Sequence, residues 1–148
     1  SRAQIMTILG RTLTRGYSYS PCTFADADVI PDWSRDHIDL LTSLGIITGG
    51  DGGKVDPLGT ITRAQFAEIF AKALPAAALP AKNTVNRIPD VPSSASYAGA
   101  VFTLYRAGIL TGSDGNYFYP STAINRAQAA AIASRMADSD LRMSVTLK

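Results

Sequence analysis

The feature that most constrains this chain is a short motif that occurs three times. Ser1-Arg2-Ala3-Gln4, Thr62-Arg63-Ala64-Gln65 and Asn125-Arg126-Ala127-Gln128 each precede an apolar run at helical spacing. Ser, Thr or Asn with Gln three residues later is the capping-box signature of a helix start. The arginine falls at the first helical position, where the macrodipole is positive and a cation costs roughly 0.3–1 kcal/mol. Two readings follow. Either an anion is met at the helix start, or the arginine lies back along the surface or pairs with an acid of a neighbouring repeat. The capping frame accounts for the flanking residues and leaves the arginine without a structural task.

Self-similarity extends well beyond the motif. Arg63 and Arg126 are 63 residues apart, and at the same offset Ile38 matches Val101, Leu41 matches Leu104 and Gly45-Ile46 matches Gly108-Ile109. Thr48-Gly49, Asp51-Gly52 and Pro57 recur as Thr111-Gly112, Asp114-Gly115 and Pro120. A fixed long period marks a repeat architecture. The chain reads as two whole repeats, 24–74 and 88–137, preceded by the closing helix (1–16) of a truncated one. It therefore looks like a piece of a longer protein. Residues 75–87, PAAALPAKNTVNR, read as a semi-rigid linker, and 138–148 as a polar tail expected to fray in part.

Taken in order, Ile5, Met6, Ile8, Leu9, Thr12 and Leu13 form one buried stripe, with Gly16 as its stop. Asp32 is the expected cap of a helix carrying Ile38, Leu41 and Leu44. Gly45 stops that helix, Ile46-Ile47 returns to the core, and Gly49–Gly53 is a tight turn. Phe66, Ile69, Phe70, Ala73 and Leu74 extend the second motif into a helix. In the second repeat a helix near Ser96 ends at Gly108, Tyr117-Phe118-Tyr119 is an aromatic cluster, and the third motif opens an alanine-rich helix. Five principal helices result. The economical arrangement packs the three R-A-Q helices together.

Composition narrows the function. The 148 residues are 46% hydrophobic and 18% charged, as in a globular domain large enough for a core. A net charge of +2 with scattered basic residues gives no nucleic-acid footprint. No stretch approaches the apolar length of a membrane span. Cys22 stands alone, so no internal disulfide can form, and it reads as a free structural thiol. His37 has no cysteine companion for a metal, and no cofactor motif is present. Asp51-Gly52-Gly53 is not a calcium loop, because Gly53 and Val55 stand where ligands are needed. Asp26, Asp51, Asp90 and Asp114 recur by repeat and sit at turns, which suits structure better than a glycosidase acid pair.

The pattern F-x-D…W-x4-I-x2-L-x3-G-I-x2-G-x-D-G…P…I-T-R-A-Q resembles the S-layer homology repeat. The resemblance implies an all-α fold of tandem repeats, with a pseudo-threefold central three-helix bundle and projecting helix and loop prongs. It implies a non-catalytic anchor in the extracellular bacterial cell wall or S-layer. The implied ligand is a peptidoglycan-linked secondary cell-wall polysaccharide, often ending in a pyruvate-ketal sugar, bound in grooves between repeats. The motif arginines Arg63, Arg126 and Arg2 would face the anionic group, aided by free N–H groups of the helix N-terminus.

Further candidates are Trp33, as a sugar platform or a plug at the hinge, and Tyr97 beside Ser96, which stands at the tryptophan's position. Gly49, Asp51, Gly112 and Asp114 could bring turn amides to a glycan or simply form turns. The sequence departs from the family in ending all three motifs with Gln rather than Glu. Arginine-to-alanine changes at 63 and 126 would then weaken binding and spare stability. Two other classes stay open: a protein–protein module through which copies of a surface layer associate as homo-oligomers, and a tether of an envelope protein to peptidoglycan itself.

Overall fold

The computed structural model describes residues 1–13 and 18–148, without the side chain of Asp114. The expected stop at Gly16 lies outside the described residues. Among the described residues five α-helices carry the fold: α1 (Arg2–Leu13), α2 (Asp32–Ser43), α3 (Arg63–Ala73), α4 (Ala98–Arg106) and α5 (Arg126–Ala137). The class is all-α with tandem repeats, relieved by one pair of two-residue strands, β1 (Thr84–Val85) and β2 (Thr146–Leu147).

The helix starts follow the capping chemistry. Thr62 and Gln65 exchange side-chain and backbone hydrogen bonds at 3.1 and 3.2 Å, and Asn125 and Gln128 do so at 3.1 and 2.9 Å. Ser1 and Gln4 make the same pair of contacts at 2.8 and 3.5 Å. The start of α2 differs from expectation. Pro31 occupies the cap position and Asp32 is the first helical residue, because Ser34 N–H already bonds to Pro31 O at 2.9 Å.

The chain divides into two compact units, Ser1–Ile61 and Thr62–Lys148. The division falls just before the second R-A-Q helix rather than after it. The first unit therefore joins the closing helix of one repeat to the opening part of the next, and the second joins α3 to the whole repeat that follows it, α5 included. Within the first unit α1 packs on α2, burying Ile5, Met6 and Leu9 with Ile38 and Leu41. Within the second, α3 packs on α4, burying Phe66 and Phe70 along with Val101 and Leu104.

The helix after each motif partner ends in the same way. Gly45 (φ 68°) and Gly108 (φ 74°) take the left-handed conformation, and the N–H groups of residues 45 and 46, and of 108 and 109, turn back to the helix carbonyls. Ile46-Ile47 and Ile109-Leu110 then enter the core as expected. After a tight turn the chain returns as a strap that ends in a second turn, Lys54–Gly59 in the first unit and Tyr117–Thr122 in the second. An aspartate from the start of the repeat clamps each strap. Asp26 accepts from Val55 and Asp56 N–H at 2.9 and 2.8 Å, and Asp90 accepts from Phe118 and Tyr119 N–H at 2.8 and 2.6 Å.

The tail takes regular structure in part. It runs back along the linker, where β2 pairs in parallel with β1, Thr84 opposite Thr146 and Val85 opposite Leu147. Asn83 ties the two segments together: its side-chain amide donates to Tyr105 O and Met143 O, and its Oδ1 accepts Val145 N–H. A side chain at Gly108 would come within 2.5 Å of Met143 O, so this glycine serves the close approach as well as its positive φ. Linker and tail thus form part of the second unit's fold rather than loose connectors.

The clamp has a titration signature. Burial pushes the Asp26 carboxyl up, but the N–H groups of Val55, Asp56 and Asp26 itself, with the charge of Lys54, outweigh it and hold it below its ordinary value of 3.8. A carboxyl whose folded pKa is depressed contributes stability above its unfolded value and loses it as pH falls through the folded one. Thermal melts between pH 2 and 6 should therefore show a shallower acid limb for Asp26→Asn than for wild type, with the two proteins differing most above about pH 4.

Candidate functional site

The start of α3 shows what the motif does. Thr122 O accepts Arg63 N–H at 2.9 Å and Pro120 O accepts Ala64 N–H at 3.0 Å. Thr62 accepts Gln65 N–H. The first N–H groups of the helix, which ordinarily lack partners, are thus consumed by the strap and the cap. Arg63 itself is only 6% exposed. Its Nε donates to Phe118 O at 2.6 Å, and its guanidinium lies 4.9 Å over the Phe118 ring. Phe118 meets Tyr105 edge to face at 6.1 Å.

The first unit repeats this geometry. Gly59 O and Pro57 O accept the N–H groups of Arg2 and Ala3, both at 2.9 Å, and Arg2 Nε donates to Val55 O at 2.8 Å. The arginine is therefore a structural bolt between helix and strap. At α1 and α3 two sequence expectations change: the arginine has a structural task, and the first N–H groups of the helix are taken by strap and cap rather than left for an anion.

Arg63 nevertheless lines a cavity. A space of about 160 Å³ in the second unit is lined by Arg63, Gly112, Ser113, Gln128, Arg135 and neighbouring residues. Leu110, Ala131 and Ile132 form its apolar wall. Two arginines share this lining, and among the described side chains no carboxylate does. Burial lowers the pKa of Arg63, with Tyr105 and Asp90 opposing the shift, but an arginine remains cationic throughout the physiological range. Arg135 is anchored by a 3.2 Å bond to Ile109 O. Gly112 also lines it, and a side chain there would strike the Asn116 backbone at 2.7 Å. The site is a partly enclosed cationic cavity with an amide, a hydroxyl and an apolar side, suited to an anionic group carried on a less polar ring.

Of the sequence candidates, the structure brings together Arg63 and Gly112. Arg2 sits half-buried in the other unit, its pKa lowered by burial against the opposing charges of Asp56 and Asp26. Arg126 lies exposed at the start of α5, and no strap covers it among the described residues. Trp33 is 54% exposed on α2, which removes the plug reading. Tyr97 is the half-buried cap residue of α4, while Gly49 and Asp51 lie exposed in the turn of the first unit. The side chain of Asp114 is outside the described residues.

Sequence reasoning missed Gln128 as a wall and Arg135 altogether. A signal was available: a cation recurs nine residues after each motif arginine, as Arg11, Lys72 and Arg135. Among the described residues no group of three or more His, Cys, Asp or Glu side chains is placed to hold a metal ion. Burial and a hydrogen bond to Asp39 push the Cys22 thiol up, away from the thiolate a nucleophile requires.

Comparison with known proteins agrees with the repeat geometry. The family model for the S-layer homology domain matches residues 23–67 and 87–130. The chain belongs to the S-layer homology domain family. It is 34% identical over 107 residues to the surface-layer 125 kDa protein of Lysinibacillus sphaericus, covering 72% of this chain and 9% of that one. It is 32% identical over 108 residues to an amylopullulanase of Thermoanaerobacterium thermosulfurigenes and to the exoglucanase XynX of Acetivibrio thermocellus. Those matches cover 73% of this chain but 6% and 10% of the relatives. The chain thus spans a tenth or less of these proteins, and their enzyme names describe whole proteins of which the matched portion is small. No helix among the described residues is long and apolar enough to cross a membrane.

The S-layer homology motif thus carries unequal arginines, and their variants should separate cleanly. Arg63→Ala leaves Phe118 O without its donor and removes a buried cation–ring contact, a loss of about 2 kcal/mol or more. Arg126→Ala removes an exposed side chain and should leave the melting temperature unchanged. Calorimetric melts of the two single variants check this; equal melting temperatures would contradict the bolt.

Proposed function

We propose that this chain is a non-catalytic anchoring module that binds an anionic secondary cell-wall polysaccharide and holds a surface protein on the bacterial envelope. The observation that carries the reading is the second-unit cavity with both Arg63 and Arg135 in its lining. A carboxylate such as that of a pyruvate ketal suits the planar donor forks of two arginines. The ketal's methyl and ring carbons suit Leu110, Ala131 and Ile132. Family membership and the likeness to a surface-layer protein support a place at the cell surface.

Gln128 sharpens the proposal. As a neutral amide it completes the capping box and leaves the cavity's positive charge intact. In co-sedimentation with purified cell walls, Gln128→Glu should keep its melting temperature and pellet several-fold less, because the new carboxylate competes for the guanidinium groups. Removing the wall polysaccharide, or its ketal groups alone, should abolish pelleting of wild type. Undiminished pelleting with polysaccharide-free walls would instead favour direct attachment to peptidoglycan.

A second reading, docking between copies, has one observation in its favour. In α5 the positions of Arg126, Ala127 and Ala130 are exposed, whereas their counterparts Arg63, Ala64 and Ala67 in α3 are buried. Light scattering across a hundredfold range of concentration tests it: a constant monomer mass that binds polysaccharide supports the anchor alone.

A further inference from the structure

The two straps are an internal control on one another. Tyr117-Phe118-Tyr119-Pro120 stands where the first repeat has Lys54-Val55-Asp56-Pro57. The backbones match: the middle residue is buried in both, the aspartate clamp is the same, and residues 56 and 119 both take positive φ, 49° and 58°. Folding therefore asks nothing aromatic of the two outward positions, since Lys54 and Asp56 fill them equally well. Stability argues against tyrosine at one of them. Aspartate enters the left-handed region comparatively readily, whereas a bulky aromatic residue is an outlier there. Yet Tyr119 occupies it, 44% exposed, with Tyr117 beside it at 43%.

The pair is ordered as well as exposed. The rings stack with centroids 5.7 Å apart and an interplanar angle of 28°. Tyr117 lies so close over Gly115 that a side chain there would meet the ring at 3.2 Å. Tyr117 O accepts Ser113 N–H at 2.9 Å, so the turn that supplies Gly112 and Ser113 to the cavity also carries the ring pair. Two fixed aromatic rings left open to water, at some cost to the backbone, mark a binding surface rather than a packing one.

We propose that Tyr117 and Tyr119 form a stacking platform for a neutral pyranose ring of the polysaccharide whose anionic group enters the cavity. This assignment rests on the anionic-glycan reading above. The carbon-bound hydrogens of a sugar ring face the aromatic surface, and the phenol hydroxyls stand at its edge for the ring hydroxyls. The cavity recognises charge, and the platform recognises the next sugar along the chain.

The test uses the full chain and two probes: a methyl glycoside bearing one pyruvate ketal, and a ketal-bearing oligosaccharide cut from wall polysaccharide. Tyr117→Lys with Tyr119→Asp installs the first repeat's own residues, so the strap is retained, and a melt confirms it. This variant should bind the oligosaccharide about tenfold more weakly, the scale of a lost aromatic contact, and the single sugar as wild type does. Tyr117→Phe with Tyr119→Phe keeps the rings and should stay within about threefold of wild type for the oligosaccharide. Undiminished oligosaccharide binding by the Lys/Asp variant overturns the platform, as does an equal loss with both probes. Arg135→Ala, which alters the cavity alone, should lose both probes. If it binds both normally while the Lys/Asp variant loses only the oligosaccharide, the platform stands and the cavity assignment falls. If wild type binds neither probe, both fall.

Discussion

The hydrogen bond from a motif arginine's Nε to a strap carbonyl is the contact on which the rest of the structure depends. It joins residues far apart in sequence, Arg2 to Val55 and Arg63 to Phe118, and it is accompanied each time by two backbone bonds from the helix start. A helix N-terminus has orphan donors, and a strap that joins no sheet has orphan acceptors. Each resolves the other's deficit. Arginine suits the position because it reaches a carbonyl with Nε while its remaining nitrogens stay available, and because its flat face rests on the ring of Phe118. Lysine would supply a point charge with no such division of labour.

That division reconciles the two readings of the motif. Arg63 is a structural residue through its Nε and is also part of the lining of the cavity. The energetic consequence is coupling between fold and ligand. A cation that is partly desolvated in the free protein has already given up much of its hydration, so an anion arriving in the cavity meets a charge held in place at lowered dielectric screening. Asp90, near enough to oppose the lowering of the Arg63 pKa, is occupied by two strap N–H groups and does not line the cavity.

Local chemistry in this chain was readable from sequence. Capping boxes at Thr62 and Asn125, the glycine stops at 45 and 108, and the apolar tethers behind them depend on residues within a few positions of one another. What escaped reading was long-range pairing. Nothing near Arg63 announces Phe118, and alternation too short to register conceals the two-residue strands that seat the tail on the linker. The recurrence of Arg11, Lys72 and Arg135 was visible but reads as ordinary charge at a helix C-terminus, where cations are favoured anyway. Only the geometry shows that Arg135 shares a cavity with Arg63.

The division at Ile61 and Thr62 means that the unit of heredity and the unit of folding are out of phase. A segment cut along the sequence repeat, 24–74, contains a strap whose helix lies upstream and a helix whose strap lies downstream. A segment cut between them keeps a helix with its strap. Duplication of such a repeat in tandem adds one helix–strap junction for every copy after the first, so partnership is inherited by adjacency and not within the copied segment. Changes on a strap are then selected together with the preceding repeat's helix, and divergence between neighbouring repeats, such as tyrosines in one strap and charges in the other, can proceed without disturbing the junction that both employ.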